Sequence, residues 1–193
     1  LTDKDTIAVE TASGIIYPSL LDSGDVKVDM GLPIFEPSAI PFKSDVQADT
    51  YKLALANDLD VTISAVSMGN PHAVIVVDDI SQADVAEVGP QVESHAQFPE
   101  RVNVGFMEII SPIHIKLRVY ERGAGETEAC GTGACAAVVS GIQRGLLERD
   151  VKVDLPGGRL LISWADEAAS VWMTGSATQV FDGEIAWATI RKQ

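Results

Sequence analysis

The segment running from Gly131 to Gly145 carries no charge until Arg144, and this constrains the fold more than any other feature of the chain. A helix that is apolar on every side cannot lie on a surface, because it has no face to offer water. Its small residues, Ala134, Ala136, Ala137 and Gly141, would let neighbouring strands approach closely. The natural packing is a buried helix wrapped by curved sheet.

The rest of the chain supplies that sheet. Period-two alternation and β-branched runs predict strands near 6–11, 14–21, 25–30, 60–67, 73–78, 101–110, 113–121, 151–155, 158–165, 168–174 and 178–187. Two further helices are predicted, at 45–57 and at 81–94. The second opens on an N-cap-like Ser81 and carries Val85, Val88 and Val92 at helical spacing. Prolines at 33, 37 and 41 exclude a central strand between Gly31 and Lys43, so that segment reads as an extended connector and a lobe boundary.

Composition narrows the partners. With 193 residues the chain can bury roughly 70% of its unfolded surface. A formal net charge of -14 argues against nucleic acid and anionic membranes, which recruit clustered Lys and Arg. No apolar run approaches the ~20 residues that span a bilayer, and Leu1-Thr2-Asp3-Lys4-Asp5 has no signal-peptide pattern. A cytoplasmic protein is expected. There is no Cys or His cluster at ligand spacing, so no metal is expected, and Cys135, inside the helix, reads as packing.

Chemistry concentrates in four polar clusters, each where a strand ends or a turn begins. They are Ser67-Met68-Gly69-Asn70-Pro71-His72, Arg101-Val102-Asn103-Val104, Tyr120-Glu121-Arg122-Gly123-Ala124-Gly125-Glu126-Thr127, and Glu128-Ala129-Cys130-Gly131-Thr132-Gly133. Taken singly, most have bland explanations: Asn70 as a turn residue, His72 as a satisfied core histidine, Glu121 and Arg122 as a surface ion pair. Asn103 is less easily dismissed, since Asn is disfavoured in a β-branched strand.

Cys130 stands apart. At a helix start it faces unpaired backbone N–H groups and the positive end of the dipole, so its thiolate is expected to be favoured. Glycines at 131 and 133 uncover those N–H groups, which suit a carboxylate or a phosphate. A phosphate loop would need a Gly-Lys-Ser/Thr ending, which is missing. A thiol beside a bound carboxylate fits removal of the α-proton, because the charge that builds on the carboxylate is stabilised by the N–H groups.

Together, Gly-Asn-Pro-His, Arg-Val-Asn-Val, Glu-Arg-Gly-Ala-Gly-Glu-Thr and Ala-Cys-Gly-Thr-Gly make the chain resemble the diaminopimelate epimerases over essentially its whole length. The resemblance implies an α/β (α+β) fold of two lobes, each a curved, mostly antiparallel sheet around a central apolar helix, with the substrate between them. It implies interconversion of LL- and meso-2,6-diaminopimelate by two cysteines, without pyridoxal phosphate or any other cofactor, in lysine and peptidoglycan biosynthesis. Cys130 resembles the second-lobe catalytic cysteine, and Gly131 and Thr132 the residues whose N–H groups hold the reacting carboxylate. Asn70, Asn103, Glu121 and Arg122 match substrate-contacting positions, with Arg122 and the asparagines on the distal amino-acid head. His72 and Glu121 match residues that tune the cysteine pair. Phe181-Asp182-Gly183 resembles a segment of homodimer contact.

One departure is large. The family's other cysteine lies in a Cys-Gly-Asn-Gly turn that is missing from this sequence. Cys135 shares a helix with Cys130 and cannot reach the opposite face of the substrate carbon. The resemblance therefore implies an N-terminally shortened chain, inactive alone: residues 1–30 from the first lobe, 31–175 the second lobe, and 176–193 a closing strand returning to the first. Three alternatives follow from the same residues: a proline-racemase-like isomerase, a non-catalytic anion-binding module, or a redox protein with a Cys130–Cys135 disulfide.

Overall fold

The computed structural model describes residues 4–11, 14–56 and 59–185. In chain order its elements are β1 Val9–Thr11, β2 Gly14–Ile16, β3 Ser19–Leu20, β4 Asp25–Asp29, β5 Tyr51–Ala54, β6 Asp60–Ser67, β7 Pro71–Val77, α1 Val85–Glu93, β8 Asn103–Ser111, β9 His114–Glu121, β10 Gly125–Thr127, α2 Gly131–Gln143, β11 Asp150–Leu155, β12 Gly158–Ser163 and β13 Trp172–Ser176. One sheet runs in the order β3-β4-β13-β12-β11-β9-β8-β7-β6-β5, with β10 added beside β9. Its pairings are antiparallel except β7 with β8 and β9 with β11. Those parallel joins are the ones bridged by helical crossovers, through α1 and through α2.

The middle of the sheet is covered on both faces, as the strands' alternation dictates. Val66 of β6, Val74 of β7 and Met107 of β8 turn towards α2. Ile63, Ala65, Ala73, Ile75, Val104 and Phe106, on the same three strands, turn to a second core under α1. Helix α2 is enclosed as its sequence requires, with Ala134 to Val139 fully buried among β9, β11 and β12. Glycine makes that closeness possible at 141, where a Cβ would lie 2.3 Å from the Leu147 side chain. The helix then stops in a Schellman turn: Leu146 N–H donates to Gly141 O, Gly145 N–H to Ile142 O, and Gly145 takes φ 68. Among the described residues no helix is long and apolar enough to cross a membrane.

Several sequence expectations are corrected. No α-helix forms over residues 45–56; they contain β5, in which Leu53 is fully buried, Lys52 points out, and the register with β6 is antiparallel. Position 57 of that expectation lies outside the described residues. Ser81 does not cap α1: its N–H and hydroxyl go to Asp79 Oδ1, and the helix begins after Asp84. The expected strand at 14–21 breaks into β2 and β3 at Pro18, which has no N–H to give a ladder. The connector is extended only in part. Ile34 pairs with Ser67, but Pro37 starts a short 3-10 turn that buries Ile40 and Phe42 in the core of α1. No strand forms over 178–185, where Val180 and Phe181 stand exposed; the last residues of that expectation lie outside the described ones.

Candidate active site at the start of helix α2

Four segments converge beside the first turn of α2. The β6–β7 turn, pivoting on Gly69 at φ 86, delivers Asn70 and His72. The start of β8 delivers Asn103, paired in parallel register with His72. The end of β9 delivers Glu121 and Arg122, and β10 leads into Cys130, the N-cap of α2. Asn70, His72, Asn103, Glu121, Arg122 and Cys130 thus arrive at one end of the sheet.

Hydrogen bonds tie them together in short sets. His72 is 1% exposed, and its Nε2 donates to Asn70 Oδ1 at 3.0 Å. Asn70 Nδ2 points at Thr132 Oγ1, 3.5 Å away, and that hydroxyl lies 3.7 Å from Cys130 Sγ. The buried Asn103 donates from Nδ2 to Pro71 O and accepts the Arg122 N–H at 2.9 Å. Arg122 Nη1 donates to Glu100 O at 2.9 Å. Thr127 donates its hydroxyl to Glu121 Oε1 at 2.5 Å. Asn103 in a β-branched strand is explained by this double duty: it ties the β7 start to the β9 end.

The protonation states follow from burial. Desolvation, reinforced by the Arg122 guanidinium, drops the His72 pKa to about 3, so the ring is neutral. Cys130 overturns the expected thiolate: its pKa is raised. Burial is the largest cause, and the neighbouring Glu121 carboxylate adds to it; the Gly133 N–H and the Thr132 hydroxyl pull the other way without winning. A helix N-terminus contributes ~0.3–2 kcal/mol, which here loses to desolvation. Cys130 rests as a thiol, and both cysteines are free. Cys135, fully buried, is pushed up to about 12.

Glycine shapes the thiol's surroundings. A Cβ on Gly133 would lie 3.1 Å from Cys130 Sγ, and one on Gly131 would lie 2.9 Å from Met173 Sδ. The N–H groups of Gly131 and Thr132 lie in the first turn of α2, where they have no carbonyl partner within the helix and can serve an anion. Among the described residues no three His, Cys, Asp or Glu side chains converge to hold a metal ion. Two contributors escaped the sequence reading. Thr127 stands within the third cluster but carried no signal of its own. Glu93 ends an ordinary amphipathic stripe, with nothing to distinguish it from a solvated helix residue.

Solved structures define the class. A probable proline racemase from Agrobacterium radiobacter superposes with a TM-score of 0.67 at 15% identity, covering 100% of this chain and 64% of that one. A Bacillus anthracis phenazine biosynthesis protein of the PhzF family gives 0.60 at 16% identity, covering 91% and 67%. The fold is therefore that of the racemase and PhzF-type proteins. Sequence fixes the family within that class. The model for diaminopimelate epimerase matches residues 64–180, and the diaminopimelate epimerase of Nitrosomonas europaea is 58% identical over 96% of this chain and 67% of its own length. That of Acinetobacter baumannii is 56% identical over 96% and 66%. The chain belongs to the diaminopimelate epimerase family, and it spans about two thirds of the length of these curated relatives.

Proposed function

We propose that this chain carries the Cys130 side of a diaminopimelate epimerase site. The observation that supports the reading most is the placement of Cys130 at the mouth of α2, with Glu121 beside it and the Gly131 and Thr132 N–H groups next to it. A substrate α-carboxylate docked on those N–H groups brings its α-carbon to the thiol. As a proton leaves the opposite face of that carbon, the electron pair delocalises onto the carboxylate, where the N–H groups stabilise it. Cys130, resting as a thiol, then delivers its proton to the near face and becomes a thiolate; in the reverse direction the thiolate removes that proton. The second acid/base group must come from outside the chain's own cysteines, since Cys135 is enclosed in the core on the same helix.

In this reading Asn70, Asn103 and Arg122 hold the distal amino-acid head, while His72, neutral and fixed by Asn70, orients that side of the pocket without contributing charge. Residues 31–175 form one lobe, and residues 1–30 and 176–193 belong with another. The intact enzyme is a cytoplasmic homodimer, with the segment around Phe181 at the contact, and uses no pyridoxal phosphate.

Titration by NMR in heavy water and in ordinary water tests the proposal. Adding LL- or meso-diaminopimelate should shift the amides of Gly131, Thr132 and Arg122, and proline should not. A response to proline alone would transfer the site to a proline-racemase-like activity, and no response to either would contradict substrate binding here. Sustained epimerisation with α-deuterium uptake by these 193 residues alone would contradict the two-sided mechanism.

A further inference from the structure

We infer that Glu93 is a positioning residue for the distal-head pocket, an inference that rests on the proposed roles of Asn103 and Arg122. Glu93 is the last residue of α1 and is 2% exposed. A carboxylate taken out of water needs full compensation, and the partners that compensate this one come from two loops. Arg101 Nη2 donates to Glu93 Oε2 at 2.6 Å, and Gly123 N–H donates to Oε1 at 3.0 Å. The Glu93 backbone carbonyl also accepts the Val102 N–H at 3.1 Å.

Each partner adjoins a pocket residue. Arg101 and Val102 lead directly into Asn103, and Gly123 follows Arg122. The two pocket residues are themselves joined, Arg122 N–H to Asn103 Oδ1. Glu93 is thus the third corner of a frame whose other corners are the two proposed contacts to the substrate's far end. The backbone is held in an uncommon state at this corner: Arg101 has φ 62, in the left-handed region that non-glycine residues rarely occupy. Such a conformation persists where its surroundings over-determine it, and the Glu93 ion pair together with the Phe98 O to Arg101 N–H bond does so. Had the core needed only filling, an apolar residue at position 93 would serve at least as well as a buried carboxylate paired with a half-exposed arginine. The carboxylate is accounted for by what it aims.

The test compares the 193-residue chain with Glu93→Gln, Glu93→Leu and Arg101→Ala, using amide exchange and ligand titration together. Glu93→Gln keeps an acceptor for Gly123 and loses the ion pair; Arg101→Ala is a substitution at a side chain that is 55% exposed, so it reports on the frame if the Glu93 variants fail to fold. Expected is an exchange rate at Arg122 and Gly123 raised about tenfold or more, with Val104 and Val119 in the core as protected as before. Affinity for diaminopimelate should fall about tenfold, while affinity for L-2-aminoheptanoate, the same chain without the second amino-acid head, should not change. Equal losses for both ligands would reduce Glu93 to a general structural role and overturn the inference, as would unchanged exchange at Arg122 and Gly123. If the unsubstituted chain binds neither ligand, the proposed function fails on its own account, and the exchange comparison still decides whether Glu93 holds the frame.

Discussion

The His72 imidazole, buried to 1% exposure, gives its Nε2 proton to the side-chain carbonyl of Asn70 across 3.0 Å. The bond holds Asn70 towards Thr132, and the ring that makes it stays neutral. The surroundings enforce this, since burial and Arg122 bring the pKa down to about 3 from 6.5.

Folding is therefore linked to pH through His72. Between pH 6.5 and about 3 the unfolded histidine binds a proton that the folded one refuses, so this contribution to stability falls as the pH falls through that window. Its slope approaches ~1.4 kcal/mol per pH unit. Urea melts of the parent chain and of His72→Gln, taken across the window, should differ by that slope, with the parent losing more. Parallel curves would contradict the neutral buried ring. Arg122→Gln should raise the His72 pKa, read from its ring proton shifts.

The Glu121 carboxylate helps keep Cys130 a thiol. Replacing it by glutamine removes a negative charge without changing the shape, so the Cys130 pKa should drop and its reaction with a small alkylating agent near pH 7 should speed up by about threefold or more. Thr132→Val should act in the opposite direction, since its hydroxyl favours the thiolate. Cys135, fully enclosed and pushed up to about 12, should label only on unfolding. Peptide mapping by mass spectrometry reads all three, and a Cys130–Cys135 disulfide after mild oxidation would favour the redox alternative.

The two glycines that close α2 should fail for different reasons. Gly141→Ala drives a methyl group to within 2.3 Å of Leu147, an overpacking expected to cost ~1–3 kcal/mol. Gly145→Ala meets open space but sits at φ 68, where a Cβ costs ~1 kcal/mol. Denaturant midpoints check both. Restoring room by Leu147→Ala should partly offset the first substitution and leave the second unchanged.

Much of this was legible before the structure, wherever a physical rule left one option. An uncharged helix had to be buried, and α2 is; alternating β-branched runs had to pair, and β6, β8, β9, β11 and β12 fall close to where they were predicted. Segment 45–57 misled because Leu53, Ala54, Leu55 and Ala56 are strong helix formers, and Leu53 faces inward only through pairing with β6, a long-range fact. At Cys130 the sequence displayed the helix terminus and hid the burial, so the direction of the pKa shift came out reversed. Glu93 was unreadable for a related reason. Nothing local shows that a helix-end carboxylate will meet an arginine eight residues on and a glycine thirty residues on.

The central claim, that Cys130 lines a diaminopimelate site, is tested most directly by ligand protection of its thiol. The rate at which methyl methanethiosulfonate modifies Cys130 should fall about tenfold in saturating diaminopimelate, and should not fall in saturating proline. An unchanged rate in diaminopimelate, at concentrations where the Gly131 amide has already shifted, would contradict the account.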